Sequence, residues 1–155
     1  MQSGKAVKLC ILLWFLFWIP YLSGKDSLAE IYGCFGGWKA CAECHDTETK
    51  GWQKTRHAVA FESLKKSGQQ DLPDCIQCHV VGYDKYGGFL DHELTPELAG
   101  VQCENCHGPD KEHIQNPDDG KIIAVPEMEL CRKCHTAIQD PGFDYAEKVK
   151  FSHGD

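Results

Sequence analysis

Apolar residues are spread unevenly along this chain. Residues 9–22 are apolar almost without a break, preceded by Lys5 and Lys8 and followed by small residues. That is the charged, apolar, small order of a secretory signal. The run is 14 residues long and contains Pro20, short of the roughly 20 needed to span a bilayer. The pattern favours a signal peptide over residues 1–29, cleaved after Gly24 or Ala29, over an uncleaved anchor. Residues 30–155 then form one domain.

Beyond the signal the sequence turns polar. Asp46 and Thr47 are N-cap candidates for a helix reaching about Lys66, with Gly68 as its stop. Within it His57, Ala60, Phe61 and Leu64 fall at i, i+3, i+4 and i+7, one apolar stripe. Trp52 projects to another side, where it would pack on a flat group. Residues 33–38 predict a loop, 69–74 a polar loop ending near Pro73, and 80–89 a turn-rich stretch without helical period. Pro96 opens a short helical turn, residues 116–120 form a turn, and the aromatic residues before His153 predict a docked tail. The fold class is mostly α with extensive loops. Little continuous apolar sequence is left for the side-chain core a chain of this size normally buries. Something other than side chains must fill the interior.

The cysteines supply it. Cys-x-x-Cys-His occurs four times: Cys41 and Cys44 with His45, Cys75 and Cys78 with His79, Cys103 and Cys106 with His107, Cys131 and Cys134 with His135. A Cys-x-x-Cys pair alone could be half a zinc site or a redox pair. Neither needs a histidine after every pair. With eight histidines in the chain, four such coincidences have odds on the order of one in 10^5. Two thiols at this spacing form thioethers to the two vinyl groups of a porphyrin, and the next residue is placed under the iron. The motifs predict four covalently attached c-type haems, with proximal ligands His45, His79, His107 and His135, and a fold organised around them.

Four further histidines, His57, His92, His113 and His153, equal the number of sixth positions. Bis-histidine coordination throughout is arithmetically possible; His92 reads equally well as a surface residue. Chain reach argues against each distal histidine serving its own motif. His113 lies six residues beyond His107, at most about 20 Å of extended chain, and Gly108-Pro109 consumes part of that. A helix from His45 to His57 advances about 18 Å in a straight line. The expectation is an exchange: His57 over the haem of His107, His113 over that of His45, and His153 over that of His135. Met128, which remains after signal removal, reads as packing beside the fourth motif. Cys10 leaves with the signal, and Cys34 is left as a free or dimer-forming thiol, since Tyr32 suits a lipoprotein site poorly.

Charge narrows the partners. The net charge is −7, and removing residues 1–29, which takes away Lys5, Lys8, Lys25 and Asp26, makes it −9. Haem propionates add to this. An acidic surface disfavours nucleic acid and favours redox proteins with basic docking surfaces. No Gly-rich nucleotide loop or Ser/His/Asp pattern is present. No stable membrane span is expected in the mature chain, and the oligomeric state is open.

From Cys41 to His153 the chain resembles the cytochrome c-554/c-prime family of small multihaem cytochromes. The resemblance is carried by Trp52-x-x-Thr55-x-His57-Ala58, by Cys78-His79-x-x-Gly82-Tyr83 with Gly87-Gly88-Phe89, by Val101-Gln102-Cys103-Glu104 through His113, and by Pro141-x-Phe143-Asp144 with His153. It implies short helices and loops around closely stacked haems in a periplasmic electron carrier. It also implies that His57, His113 and His153 are distal ligands, and that the haem on Cys75, Cys78 and His79 lacks a protein sixth ligand. His92 departs from that pattern. The leading expectation is electron transfer between redox partners. A nitrogen-oxide reductase at an open second haem and a subunit of an extracellular haem-wire filament stand as alternatives.

Overall fold

The computed structural model describes residues 35–109, 111–118 and 121–154. The expected signal peptide, both candidate cleavage sites, Cys10 and Cys34 lie outside the described residues. The described chain is mostly helical and loop-rich. Its helices are α1 (Gly37–Ala42), α2 (Asp46–Trp52), α3 (Ala60–Ser67), α4 (Pro73–Ile76), α5 (Cys103–His107), α6 (Lys111–Gln115), α7 (Met128–Cys131) and α8 (Tyr145–Lys148), with 3-10 turns at Pro96–Leu98 and Val149–Phe151. Among the described residues the β-type pairing is one isolated antiparallel bridge, Val80 with Ala99.

The single helix expected from residue 46 to 66 is two helices with turns between. α2 begins after His45 rather than at an Asp or Thr cap; Asp46 and Glu48 fall in its first turn, where the dipole favours acids, and Lys50 in its last. It ends because Thr55 turns back on it, its hydroxyl donating to the Trp52 carbonyl at 2.7 Å. The His57 carbonyl then accepts the Val101 N–H at 3.0 Å. These bonds draw residues 53–59 out of the helical path. α3 stops as expected, at Gly68 in the left-handed region (φ 69°), whose N–H caps the Leu64 and Lys65 carbonyls. Gly37 and Trp38, expected at the end of a loop over 33–38, instead open α1.

A small apolar core exists beside the haem motifs. Phe61 and Leu64 from α3 pack with Ile76, Val80, Val81, Phe89 and Leu98. Val80 and Val81 are completely buried, each burial stabilising by about 1.5–3 kcal/mol. The two ends of the turn-rich 80–89 stretch are therefore core, held by Val81 N–H to the Leu98 carbonyl and Phe89 N–H to the Val81 carbonyl, both 2.9 Å, while Asp84, Lys85 and Tyr86 between them are exposed. Gly82 and Gly88 approach so closely that a β-carbon on Gly88 would overlap the Gly82 backbone. Trp52 is buried by protein, its indole N–H donating to the Val101 carbonyl at 2.9 Å.

Candidate functional site

Each Cys-x-x-Cys-His lies on or beside a one- to two-turn helix: α1, α4, α5 and α7. A helical turn puts the two thiols on adjoining positions of one side, with the following histidine at or just beyond the helix end. The backbone repeats the device. The N–H of His45 reaches the Cys41 carbonyl and that of His135 the Cys131 carbonyl, both at 2.9 Å. None of the eight motif cysteines is in a disulfide.

α5 is the hub that locates the other motifs. Gln102 and Asn105 form a reciprocal cap at its start. The Gln102 side chain also accepts the Trp38 N–H at 2.7 Å and donates to the Glu97 and Ala99 carbonyls. Asn105 donates to the Val80 carbonyl at 2.9 Å, one residue past His79. Glu104 accepts the Gly36 and Gly37 N–H groups, both at 2.9 Å, at the start of α1. The residues inside and just before the third motif thus fix the first and second. Burial pushes the Glu104 carboxyl above its ordinary range, with the two glycine N–H groups working against the rise.

Thiols from different motifs meet. Cys41 and Cys103 share a hydrogen bond that pushes the Cys41 thiol far up. Burial pushes Cys106 up to about 11, with Cys131 as a neighbour. Burial and a hydrogen bond to Cys78 push Cys134 up to about 12. The first motif therefore adjoins the third, the third adjoins the fourth, and the fourth adjoins the second. Among the described residues, no three of His, Cys, Asp and Glu converge as a metal cage, so the cysteine pairs do not assemble the four-ligand arrangement of a zinc ribbon.

The histidines come in pairs instead. His45 and His113 stand with ring centroids 6.2 Å apart, His107 and His153 5.9 Å, and His57 and His135 6.0 Å. Rings in face-to-face contact lie closer, as Phe143 does on His135 at 4.5 Å. Two imidazole nitrogens each about 2 Å from one iron, with each ring centre about 1.1 Å further out, give centroids about 6 Å apart. The pairs thus fit two axial ligands of one iron. His113 lies against His45, while the partners expected for His57 and His153 are interchanged: His57 faces His135 and His153 faces His107. The reach argument excluded a histidine's own motif, and it held no information on which neighbour the chain would select.

The ring nitrogens have defined partners. Nδ1 of His79 contacts the Ala60 carbonyl at 2.8 Å and Nδ1 of His107 the Ile123 carbonyl at 2.6 Å. A carbonyl only accepts, so Nδ1 carries the proton and Nε2 presents its lone pair. Nδ1 of His135 contacts Asp140 at 2.9 Å, and that of His113 the Pro117 carbonyl at 3.1 Å. Burial, then the neighbouring His135 and His79, holds His57 below the usual imidazole range, which favours the neutral imidazole.

His92 is placed differently. It is exposed, its ring packs 6.5 Å from that of Phe61, and it borders a cavity of about 190 Å³ with Tyr83, Phe89 and Gln70. The tail that carries His153 docks on α2: a β-carbon on Gly51 would overlap the His153 backbone, and one on Gly154 would overlap Gly51. That contact explains a glycine inside a helix, and a lone Gly51 gave no sign of it in the sequence.

Residues 40–108 match the sequence profile of the family described as cytochrome c554 and c-prime. Cytochrome c-554 of Nitrosomonas europaea is 36% identical over 102 residues, covering 56% of this chain and 43% of the relative. The chain therefore matches less than half the length of that protein. The solved reduced state of cytochrome c554 from Nitrosomonas europaea superposes with a TM-score of 0.59 at 27% identity, over 77% of this chain and 83% of the other. Among the described residues no helix is long and apolar enough to cross a membrane.

Proposed function

We propose that this chain is a member of the cytochrome c554 and c-prime family, whose profile its residues 40–108 match, and that it is an exported, periplasmic tetrahaem electron carrier. Its haems are held by Cys41/Cys44, Cys75/Cys78, Cys103/Cys106 and Cys131/Cys134. In this reading His45 with His113, His107 with His153, and His135 with His57 are axial pairs, and His79 is the proximal ligand of the second motif. Bound haem iron supplies a reversible one-electron couple. The chain supplies the ligand nitrogens, their orientation through Nδ1, and the spacing between motifs.

The observation that carries this reading is the trio of histidine pairs about 6 Å apart, each joining a motif histidine to one from outside the motifs. Two imidazoles close an iron to small molecules and suit it to outer-sphere transfer. The acidic charge supports docking to basic redox partners, and the signal-like residues 1–29 support export. Coulometric titration of the purified protein tests the proposal: four electrons per chain, taken up and released reversibly, are expected. Uptake of fewer than four, or irreversible uptake, would overturn it.

One observation favours a second reading. The ring contact seen for His92 is with Phe61 rather than with His79, which supports an open sixth position at the second motif. Nitric oxide consumption by the reduced protein, lost in His79→Ala and retained in His57→Ala, would establish a reductase.

A further inference from the structure

The three motif histidines with a resolved Nδ1 partner do not share one kind of acceptor. His79 and His107 meet backbone carbonyls of Ala60 and Ile123. His135 meets the side-chain carboxylate of Asp140 through Oδ2 at 2.9 Å. We propose that Asp140 is a positioning and tuning residue that lowers the reduction potential at the fourth motif by making His135 a more electron-donating ligand. The inference rests on the reading of His135 as an axial ligand.

The chemistry follows from the acceptor's charge. A carbonyl takes the Nδ1 proton into a neutral hydrogen bond; a carboxylate takes it into a charge-assisted one, roughly twice as strong. The imidazole gains imidazolate character, and Nε2 donates more strongly. A stronger donor stabilises ferric over ferrous iron, which is the sense of a lowered potential.

The local backbone builds the contact. The Asp140 N–H reaches the Thr136 carbonyl at 2.8 Å, closing a turn directly after His135. The Phe143 N–H reaches the Asp140 carbonyl at 3.1 Å, and the Phe143 ring stacks on His135 at 4.5 Å and 22°. His135 is thus held in plane by Phe143, held in rotation by Asp140, and met by His57. Because Cys134 neighbours Cys78 and Cys131 neighbours Cys106, the fourth motif stands between the second and the third. Asp140 therefore acts at the junction of the motifs.

The test is spectroelectrochemical titration of the four-haem Asp140→Asn protein. Asn keeps an acceptor oxygen and removes the charge. One midpoint potential should rise by the equivalent of about tenfold in the reduction equilibrium, about 59 mV for one electron, with the other three unmoved. Asp140→Ser should shift the same potential upward, and Asp140→Glu should leave it at the wild-type value. A four-haem protein in which neither the Asn nor the Ser variant moves any potential would overturn the inference. The underlying reading fails separately: if His135→Met leaves every haem spectrum unchanged, His135 is not a ligand.

Discussion

The imidazole of His57 faces that of His135 across 6.0 Å, although the two belong to distant parts of the chain. The break between α2 and α3 makes this possible. The Val101 N–H on the His57 carbonyl pins the turn to the segment leading into α5. On a continuous helix His57 would have stayed on the stripe with Phe61 and Leu64, whose face is the apolar core.

Removing one distal histidine should open one haem and no other. His57→Ala, His113→Ala and His153→Ala are each expected to convert one low-spin ferric haem to high spin and to add about one carbon monoxide per chain on reduction. Electron paramagnetic resonance and carbon monoxide titration read both. A change at two haems in a single variant would contradict the pairing.

Gly51→Ala reverses the ordinary helix rule. Alanine inside a helix normally stabilises by about 1 kcal/mol relative to glycine. Here its β-carbon would overlap the His153 backbone, so the tail must shift. The variant should be less stable and should reproduce the high-spin signal of His153→Ala. Gly142→Ala, with open space around it, is the control and should leave the spectrum unchanged. An unaltered Gly51→Ala spectrum would show that the tail docks elsewhere.

Glu104 gives a pH dependence of defined sign. Burial raises its carboxyl above the ordinary value of 4.5, so the folded protein keeps a proton that the unfolded chain has released. Its contribution is fully present below about 4.5 and is lost as pH rises through the raised value. Glu104→Gln removes that titration and leaves one glycine N–H without its acceptor, costing about 1–3 kcal/mol. In urea melts the variant should be the less stable at pH 4, and the gap should narrow as pH rises. A constant gap would contradict this role.

What the sequence made legible was local chemistry. Cys-x-x-Cys-His is complete within five residues, so the motifs needed no fold to be recognised. Gly68 stops α3 and Pro96 opens a 3-10 turn by their own backbone preferences. The rest depends on distant partners. Val80, Val81 and Leu98 carry no periodic pattern, because they reach the core from short irregular segments. The partners of His57 and His153 are chosen by a hydrogen bond to Val101 and by the fit of Gly51 against the tail. Both are contacts between segments that no spacing rule connects. Glu104 entered the sequence reading only as part of the Val101–Glu104 resemblance, and only the fold brings Gly36 and Gly37 to it.

The central claim, three histidine-closed haems and one open at His79, is tested most directly by counting carbon monoxide bound per fully reduced wild-type chain. The account predicts one carbon monoxide per four haems, together with one high-spin and three low-spin ferric signals. None bound would mean that His92 or another side chain closes the second site, and two or more would break the trio of pairs.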